Sequence, residues 1–419
     1  MSEGGWRLTL ARLTRRIGFR LAAFSAAAVA LALVAGISGT LVPEGVPADL
    51  GQGSVQTILE ILATSMLAVT TFSLTAMISA YASAAAATTP RAIQLLVEDR
   101  TSQNALSSFL GTFVFSIVGI AALSTEYYGE QGRFVLYVGT LVVISIVVVT
   151  LLRWIQHLVH FGRLHDVLDR VEDAASETVR ANARRPHLGG SAPVDVPAGA
   201  LRIVAESAGC VTAVDVDTLA RQAEQDGLRV HVRALPGAPI ALGDALALVE
   251  GGPDIQARQA IRRAFLVERH RTYEQDPRLG LVALAEIGSR AMSSSVNDPG
   301  TAIEALTSIE RVLTVALTTK PERADDRFAR VHVPAVPFQD LIEDALRPIA
   351  RDGAAHVEVG LRLQRVIAAL LSIAGPEHAE VLREASVRAE RRARAALTDE
   401  GDAALLVEAA GRTRRDATP

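Results

Sequence analysis

The sequence predicts a polytopic α-helical membrane protein with four transmembrane helices and a cytoplasmic α+β region. Three observations carry that expectation. Four long runs without a charged residue crowd into residues 21–152, and most of the charge follows them. Residues 194–252 switch to an alternating, period-two pattern. From Asp254 to about Leu397 the apolar residues recur at helical spacing. The expected layout is a membrane domain over 1–153 and a helical extension with linker over 154–193. A small β-rich module (194–252), a helical bundle (253–397) and a flexible tail (398–419) follow.

Composition narrows the function classes. The chain has 419 residues, 21% of them charged and only 4% aromatic, with a net charge of −4. Nothing in that balance suggests nucleic acid as a partner. Almost every basic residue is Arg, Lys320 being the one Lys, which looks like a GC-rich bacterial coding bias. Cys210 is the sole cysteine, so an intramolecular disulfide and a cysteine metal site are both excluded.

The spans are Leu21–Val42, Ile58–Ala87, Ala105–Thr125 and Phe134–Leu152, each long enough for a bilayer. Arg7, Arg12, Arg15, Arg16 and Arg20 precede the first. That apolar run is about twice the length of a signal-peptide core, with no small-x-small cleavage site behind it, so it reads as a true span. Arg91, Arg100, Arg153, Arg163 and Arg170 flank the spans on the side of the N-terminus. The opposite loops hold Glu44, Asp49 and a single Arg, Arg133. The positive-inside rule therefore places both termini in the cytoplasm of a bacterial inner membrane. Tyr127, Tyr128 and Tyr137 fall near the outer boundary, and Trp6 and Trp154 near the inner one.

The second span is unusual. Thr64, Ala68, Thr71, Thr75, Ser79 and Ser83 recur at steps of three or four, which aligns a small, hydroxyl-bearing stripe on one helical face. Such a face is expected to meet protein or water. After it, Thr88-Thr89-Pro90 predicts a short helix with a Thr cap and Pro at its first position. Ile93, Leu96 and Val97 would share its apolar face along the membrane surface, leaving Arg91, Gln94, Glu98 and Asp99 exposed. In the third span Ser108, Gly111, Thr112, Ser116 and Gly119 supply small residues for close packing. Glu60 stands at the outer end of the second span, and no span carries an internal Asp, Glu, Lys, Arg or His, which weighs against proton relays and voltage sensors.

Arg153–Ala181 reads as a continuation of the fourth helix. Its His157, His160, His165 and Asp166 match no recognised ligand spacing and read as solvated; no metal and no cofactor are expected. Asn182–Pro197 reads as a linker. In the β-rich stretch, Asp217–Asp226 fits a helix capped by Asp217. The pairing of ESAGCVTAVD with PGAPIALGDALALVE is similar to the half-motifs of barrel-sandwich domains such as lipoyl carriers, but the modifiable lysine is missing. A structural, barrel-sandwich-like module is the expectation. Helices follow over Ile255–Glu268, Leu279–Met292, Pro299–Leu317 (capped by Asp298), Phe338–Ala350, His356–Ala374 and Glu377–Leu397. The tail holds at most a short helix over Asp402–Ala410.

Several stretches together resemble the DUF2254 family of bacterial predicted membrane proteins. They include SMLAVTTFSLTAMISAYAS, TTPRAIQLLVEDRTSQNALSSFLGTFVFS, WIQHLVHF, AESAGCVTAVDVDTL and RTYEQDPRLGLVALAEIGSRAMSSSVNDPGTAIEAL, in family order over nearly the whole chain. The resemblance marks Arg271, Thr272, Gln275, Asp276, Asn297, Asp298, Pro299, Thr301 and Ala302 as the family's characteristic positions. Ser294 stands where the family tends to have Pro. The resemblance implies the architecture and brings no activity with it.

Two uses of these polar positions are open: a small ligand or ion site, or paired helix caps in which Arg271 bonds Asp276 or Asp298. No nucleophile–base pair, phosphate loop or metal triad is visible, so an enzyme is not expected. The functional expectation is a homo-oligomeric ion channel in contact with the lipid bilayer. Glu60, Thr64, Leu67, Thr71, Leu74, Thr75 and Ser79 would line its pore, with Leu67, Leu74 or Met77 as an apolar gate and inorganic ions as the cargo. The competing expectation is a non-conducting scaffold or sensor whose bundle binds a partner or small ligand.

Overall fold

A computed structural model describes residues 17–37, 52–125, 127, 130–323 and 325–415. The basic N-terminal flank with Trp6, the loop carrying Glu44 and Asp49, and Tyr128 lie outside the described residues. The chain divides into two compact units. Among the described residues, one takes in residues 17–86 with 93–166 and the other 87–92 with 167–415.

The first unit is built on α1 (Ile17–Ile37), α2 (Gln52–Ala87), α4 (Arg100–Ser124) and α5 (Glu130–His160). Among the described residues three stretches are long and apolar enough to cross a membrane: Gly53–Ala87, Arg100–Ser124 and Gln131–His160. In α1 the described apolar stretch is shorter, Leu21–Val34. Small residues set the packing, as their spacing predicted. A Cβ on Gly111 would lie 3.3 Å from the Phe24 carbonyl oxygen of α1, and one on Gly119 would lie 3.1 Å from Leu59 of α2. Val55, Leu59, Phe115, Leu123 and Leu136 close the core.

Two boundaries differ from expectation. The short helix α3 (Pro90–Val97) forms with Pro first, yet the hydroxyl of Thr89 is buried without a hydrogen-bond partner. The turn is instead closed by the Ala92 amide on the Thr89 carbonyl, 3.0 Å. Leu96 is buried and Arg91 and Glu98 are exposed, as expected, but Asp99, expected on the exposed face, is buried. The fourth helix does not run unbroken to Ala181. It ends at His160, and Gly162 adopts a left-handed conformation (φ 76°) before α6 (Leu164–Arg184). A side chain at Gly162 would meet the Ala80 carbonyl oxygen at 3.0 Å, so both the turn and the close approach require glycine.

In the second unit, β1 (Leu201–Val204), β5 (Ala245–Glu250), β3 (Arg229–Val232) and β7 (Val331–His332) form one sheet in that order, with β7 parallel to β3 and the rest antiparallel. β4 (Pro239–Ile240), β2 (Gly209–Val214) and β6 (Phe265–Glu268) form a second, antiparallel sheet. Helices α7 (Val216–Gln225) and α8 (Ile255–Arg263) close the core with Leu219, Ala223, Ala257 and Ile261. The cap of α7 is Asp215, not Asp217: its carboxylate accepts from the Thr218 amide at 3.0 Å. Ile255–Glu268 is not one helix, because the chain turns at Ala264 so that Phe265 buries its ring and β6 pairs with β2.

A bundle follows: α9 (Leu279–Ala291), α10 (Pro299–Thr318), α11 (Phe338–Asp352), α12 (Val357–Leu371), α13 (Pro376–Ala396) and α14 (Glu400–Arg415). The glycines of α9 let neighbours close in. A Cβ on Gly280 would come within 2.4 Å of the Ala175 side chain of α6, and one on Gly288 within 2.7 Å of Ile349 of α11. The C-terminal stretch is a full helix rather than a frayed tail. Leu406, Ala410 and Thr413 are buried, and the Thr413 hydroxyl donates to the Gln364 carbonyl at 3.2 Å.

Candidate functional site

On α2 the buried residues Val55, Leu59, Leu62, Ala63, Met66, Ser73, Met77 and Ala84 recur at three- and four-residue steps and mark the face turned into the unit. Met77 is therefore part of the packing and not available as a gate. Glu60, Thr64, Leu67, Thr71, Leu74, Thr75 and Ser79 are all exposed and lie on the opposite face. The Thr hydroxyls are not idle. Thr64 donates to the Glu60 carbonyl (2.9 Å), Thr71 to Leu67 (3.0 Å) and Thr75 to Thr71 (3.0 Å). Each donor is spent on the backbone four residues earlier, while the oxygen lone pairs stay available as acceptors. The Glu60 carboxylate accepts from Gln56 at 2.8 Å.

The exposed face of α5 has a different chemistry. Val138, Leu141, Val142, Ile146, Val148, Val149 and Leu152 dominate it, with one exposed hydroxyl, Ser145, which donates to the Leu141 carbonyl at 2.9 Å. Both faces are uncovered by the described residues; that of α2 carries a run of hydroxyls, Thr64, Thr71, Thr75 and Ser79, where that of α5 has Ser145.

The polar constellation of the second unit splits in two. In the first half, Asp276 is 1% exposed and accepts from Arg271 through Nε (2.7 Å) and Nη2 (3.0 Å), and from the Arg278 amide (3.0 Å). Gln275 accepts from the Val214 amide of β2 at 2.9 Å. The Thr272 hydroxyl is buried without a partner. Asp276 also presses on the turn at Gly237 (φ 90°), where a Cβ would fall 2.5 Å from its carboxylate. In the second half, Asp298 caps α10, accepting from the Thr301 amide (3.1 Å) and hydroxyl (2.6 Å). Those bonds, hydroxyl first, hold its carboxyl below the usual range against a smaller burial effect. Asn297 turns the chain in a left-handed conformation (φ 48°), Pro299 opens the helix and Ala302 is buried. Arg271 thus bonds Asp276 and not Asp298. The arrangement is a loop clamp plus a helix cap.

Sequence reasoning missed other polar links. Arg278 spans to α11, with Nε on Asp344 (2.6 Å) and Nη1 on Asp340 (2.8 Å). Within the same unit the short segment Ala87–Ala92 is held at several points. Arg290 donates to the Thr88 carbonyl (3.0 Å), Tyr273 to the Arg91 carbonyl (3.1 Å), and Arg91 pairs with Glu286.

The first unit holds an acid–base pair. Asp99 caps α4, accepting from the Ser102 amide at 2.7 Å, and contacts His157 Nε2 of α5 at 3.0 Å. Ser102 Oγ lies 3.4 Å from the same nitrogen. Trp154 and Phe161 lie tilted against the imidazole with ring centroids at 5.8 and 5.1 Å, and Phe161 meets Tyr81 at 5.8 Å. Trp154 Nε1 and Gln103 Oε1 are buried without partners. His157 is therefore not a solvated histidine, whereas His160 and His165 are exposed. The signal was present in the sequence: Asp99-Arg100-Thr101-Ser102 ahead of an apolar run is a cap pattern.

A family model described as predicted membrane protein (DUF2254) matches residues 14–369. Uncharacterized proteins of Mycobacterium bovis and Mycobacterium tuberculosis are 24% identical over 350 residues, which span 77% of this chain and 65% of each relative. No solved structure matches.

Proposed function

The chain belongs to the DUF2254 family of predicted membrane proteins, and we propose that it forms a homo-oligomeric ion pore in a bacterial inner membrane. Four spans, both termini in the cytoplasm and α2 nearest the shared axis complete the proposal. The observation that carries it is the exposed hydroxyl stripe of α2, directly opposite that helix's buried face. A face meant only for lipid has little use for four hydroxyls in line, Thr64, Thr71, Thr75 and Ser79, and the largely aliphatic face of α5, with Ser145 as its exposed hydroxyl, shows the alternative. In a ring of subunits the stripes would line one axis. The donors of Thr64, Thr71 and Thr75 are spent on the backbone, so these residues offer acceptor oxygens to the lumen, which suits a cation. Glu60 would add an acidic ring at the outer mouth, and Leu67 and Leu74 an apolar constriction. No catalytic step and no cofactor enter the proposal.

The test is ion flux from liposomes containing the purified chain, repeated with Thr71→Leu and Thr75→Leu. The parent should conduct and both variants should conduct less, and Glu60→Gln should weaken cation preference. A monomer in the bilayer, or a parent silent under varied voltage, pH and tension, would sink the pore. The second reading, a non-conducting scaffold, is favoured by the same back-bonded hydroxyls, since a stripe satisfied by its own helix also serves as a packing seam. An oligomer without flux would select it.

A further inference from the structure

We infer that the groove between α1, α4 and α5 holds one acyl chain of a phospholipid. Its volume is about 320 Å³. Phe115 of α4, 1% exposed, lies deepest in it. Leu31 and Val34 of α1 line one side, and Phe134, Val138 and Gly139 of α5 the other. Leu31, Val34 and Val138 stay 47%, 55% and 42% exposed, so the groove is open along its length and not a sealed void. Gly139 helps to create it: a Cβ there would meet nothing within 4 Å.

The lining decides the chemistry of the occupant. Every side chain in it is apolar, and a water needs two or more polar partners to stay in such a place. An apolar cavity of about half this volume stays dry and takes up a benzene-sized guest. The surroundings decide which apolar guest is at hand. α4 and α5 are two of the stretches long and apolar enough to cross a membrane. Val138 also belongs to the largely aliphatic exposed face of α5, which continues through Val142 and Val149, so groove and face open onto the same hydrocarbon. The volume is room for about ten methylene-sized groups, at about 30 Å³ each.

Depth follows from the ends of the helices. Leu31 and Val34 belong to the last turns of α1, and Phe134 to the first turn and a half of α5. At the same end the Tyr127 hydroxyl donates to the Leu33 carbonyl at 3.3 Å. Tyrosines settle at the headgroup level, so the groove takes the part of the chain nearest the ester. In hydrocarbon no hydrophobic force separates this place from bulk lipid; a chain stays because it gains dispersion contacts on three sides where a flat helix face offers one. None of the lining residues lies on α2, so the site stands apart from whether the protein conducts.

The experiment loads the full chain, in liposomes, with phosphatidylcholine carrying a photoactivatable diazirine on an acyl carbon near the ester. The sample is washed into detergent with excess unlabelled lipid, irradiated and mapped by mass spectrometry. Adducts should persist on residues 31–34 and 134–139 and wash away from 142–152, the equally exposed face of α5 without a groove. A diazirine near the methyl end of the chain should leave fewer adducts in the groove. Gly139→Leu and Val34→Phe fill it from opposite walls, and each should reduce the retained adduct to the level of 142–152. Neither should lower the thermal melt, since Gly139 faces open space and Val34 is exposed. Should Gly139→Leu fail to fold, Val34→Phe decides. Adducts that wash out of both stretches alike, that spread equally over them, or that persist in the filled groove overturn the inference, as does a groove occupied by a second copy, which would take up no label.

Discussion

Replacing Asp276 by Asn tests the clamp at the family's characteristic positions. The carboxylate is 1% exposed and takes three hydrogen bonds, two from Arg271 and one from the Arg278 amide. Asn keeps the shape but removes the charge and turns an amide toward the guanidinium. Breaking a fully buried ion pair costs about 3–5 kcal/mol. The Arg271 side chain is 25% exposed and recovers some hydration, which lowers the expected cost to about 2–3 kcal/mol. For a unit of this size each kcal/mol lowers Tm by about 2–4 °C, so the melt should fall by about 4–12 °C. Circular dichroism of the detergent-solubilised chain reads this directly. The loss should be much smaller in an Arg271→Gln background, since the pair is then already broken. A drop below about 1 °C, or equal losses in both backgrounds, would refute the reasoning.

Three further outcomes follow from the packing and the caps. Gly280→Ala places a methyl 2.4 Å from the Ala175 side chain, so it should force α6 from α9 and cost about 1–3 kcal/mol in a thermal melt; a neutral result contradicts the close approach. Leu406→Ala should cost about 2–5 kcal/mol because the residue is 1% exposed, and protease resistance equal to the parent's would return α14 to the status of a loose tail. The carboxyl of Asp298 is lowered in the folded chain, so its stabilisation is complete above the unfolded carboxylate value of about 3.9 and is lost as pH falls through the folded one. Asp298→Ala should therefore cost about 1 kcal/mol in urea unfolding at pH 7, with the gap to the parent closing on acidification below about pH 4; a gap constant across that range rules the cap out.

Legibility followed the range of the interactions. Asp298-Pro299 before an apolar run announces a helix start, and the structure places the cap there, because capping is decided within four residues. The cap of α7 was missed by two residues for the same local reason: Asp215 and Asp217 both suit the role, and the strand ending at Val214 decides between them. Non-local pairings were not legible. Phe265–Glu268 continues a helical pattern in sequence, and only β2, fifty residues earlier, makes it a strand. Arg278 reaches carboxylates on α11 that no spacing rule links to it.

The Asp99–His157 pair bears on function. The absence of ionisable residues was read from the middle of each apolar run, and it holds there. Yet the apolar helix α5 continues past Leu152 through His157, and Asp99 is buried at the first turn of α4. The two helices that frame this unit's core therefore meet at one end through an acid, a base and a hydroxyl, enclosed by Trp154 and Phe161. Charge counting along a span is blind to this arrangement, since Asp99 precedes one run and His157 follows the other. The exclusion of proton relays consequently applies to the helix centres and not to their ends. In the proposed pore, α2 supplies the hydroxyl wall, while the Asp99–His157 contact joins α4 to α5. A wall mutation such as Thr71→Leu and the loss of Asp99 would then act on different properties, the first on conduction and the second on the packing of the helices behind it.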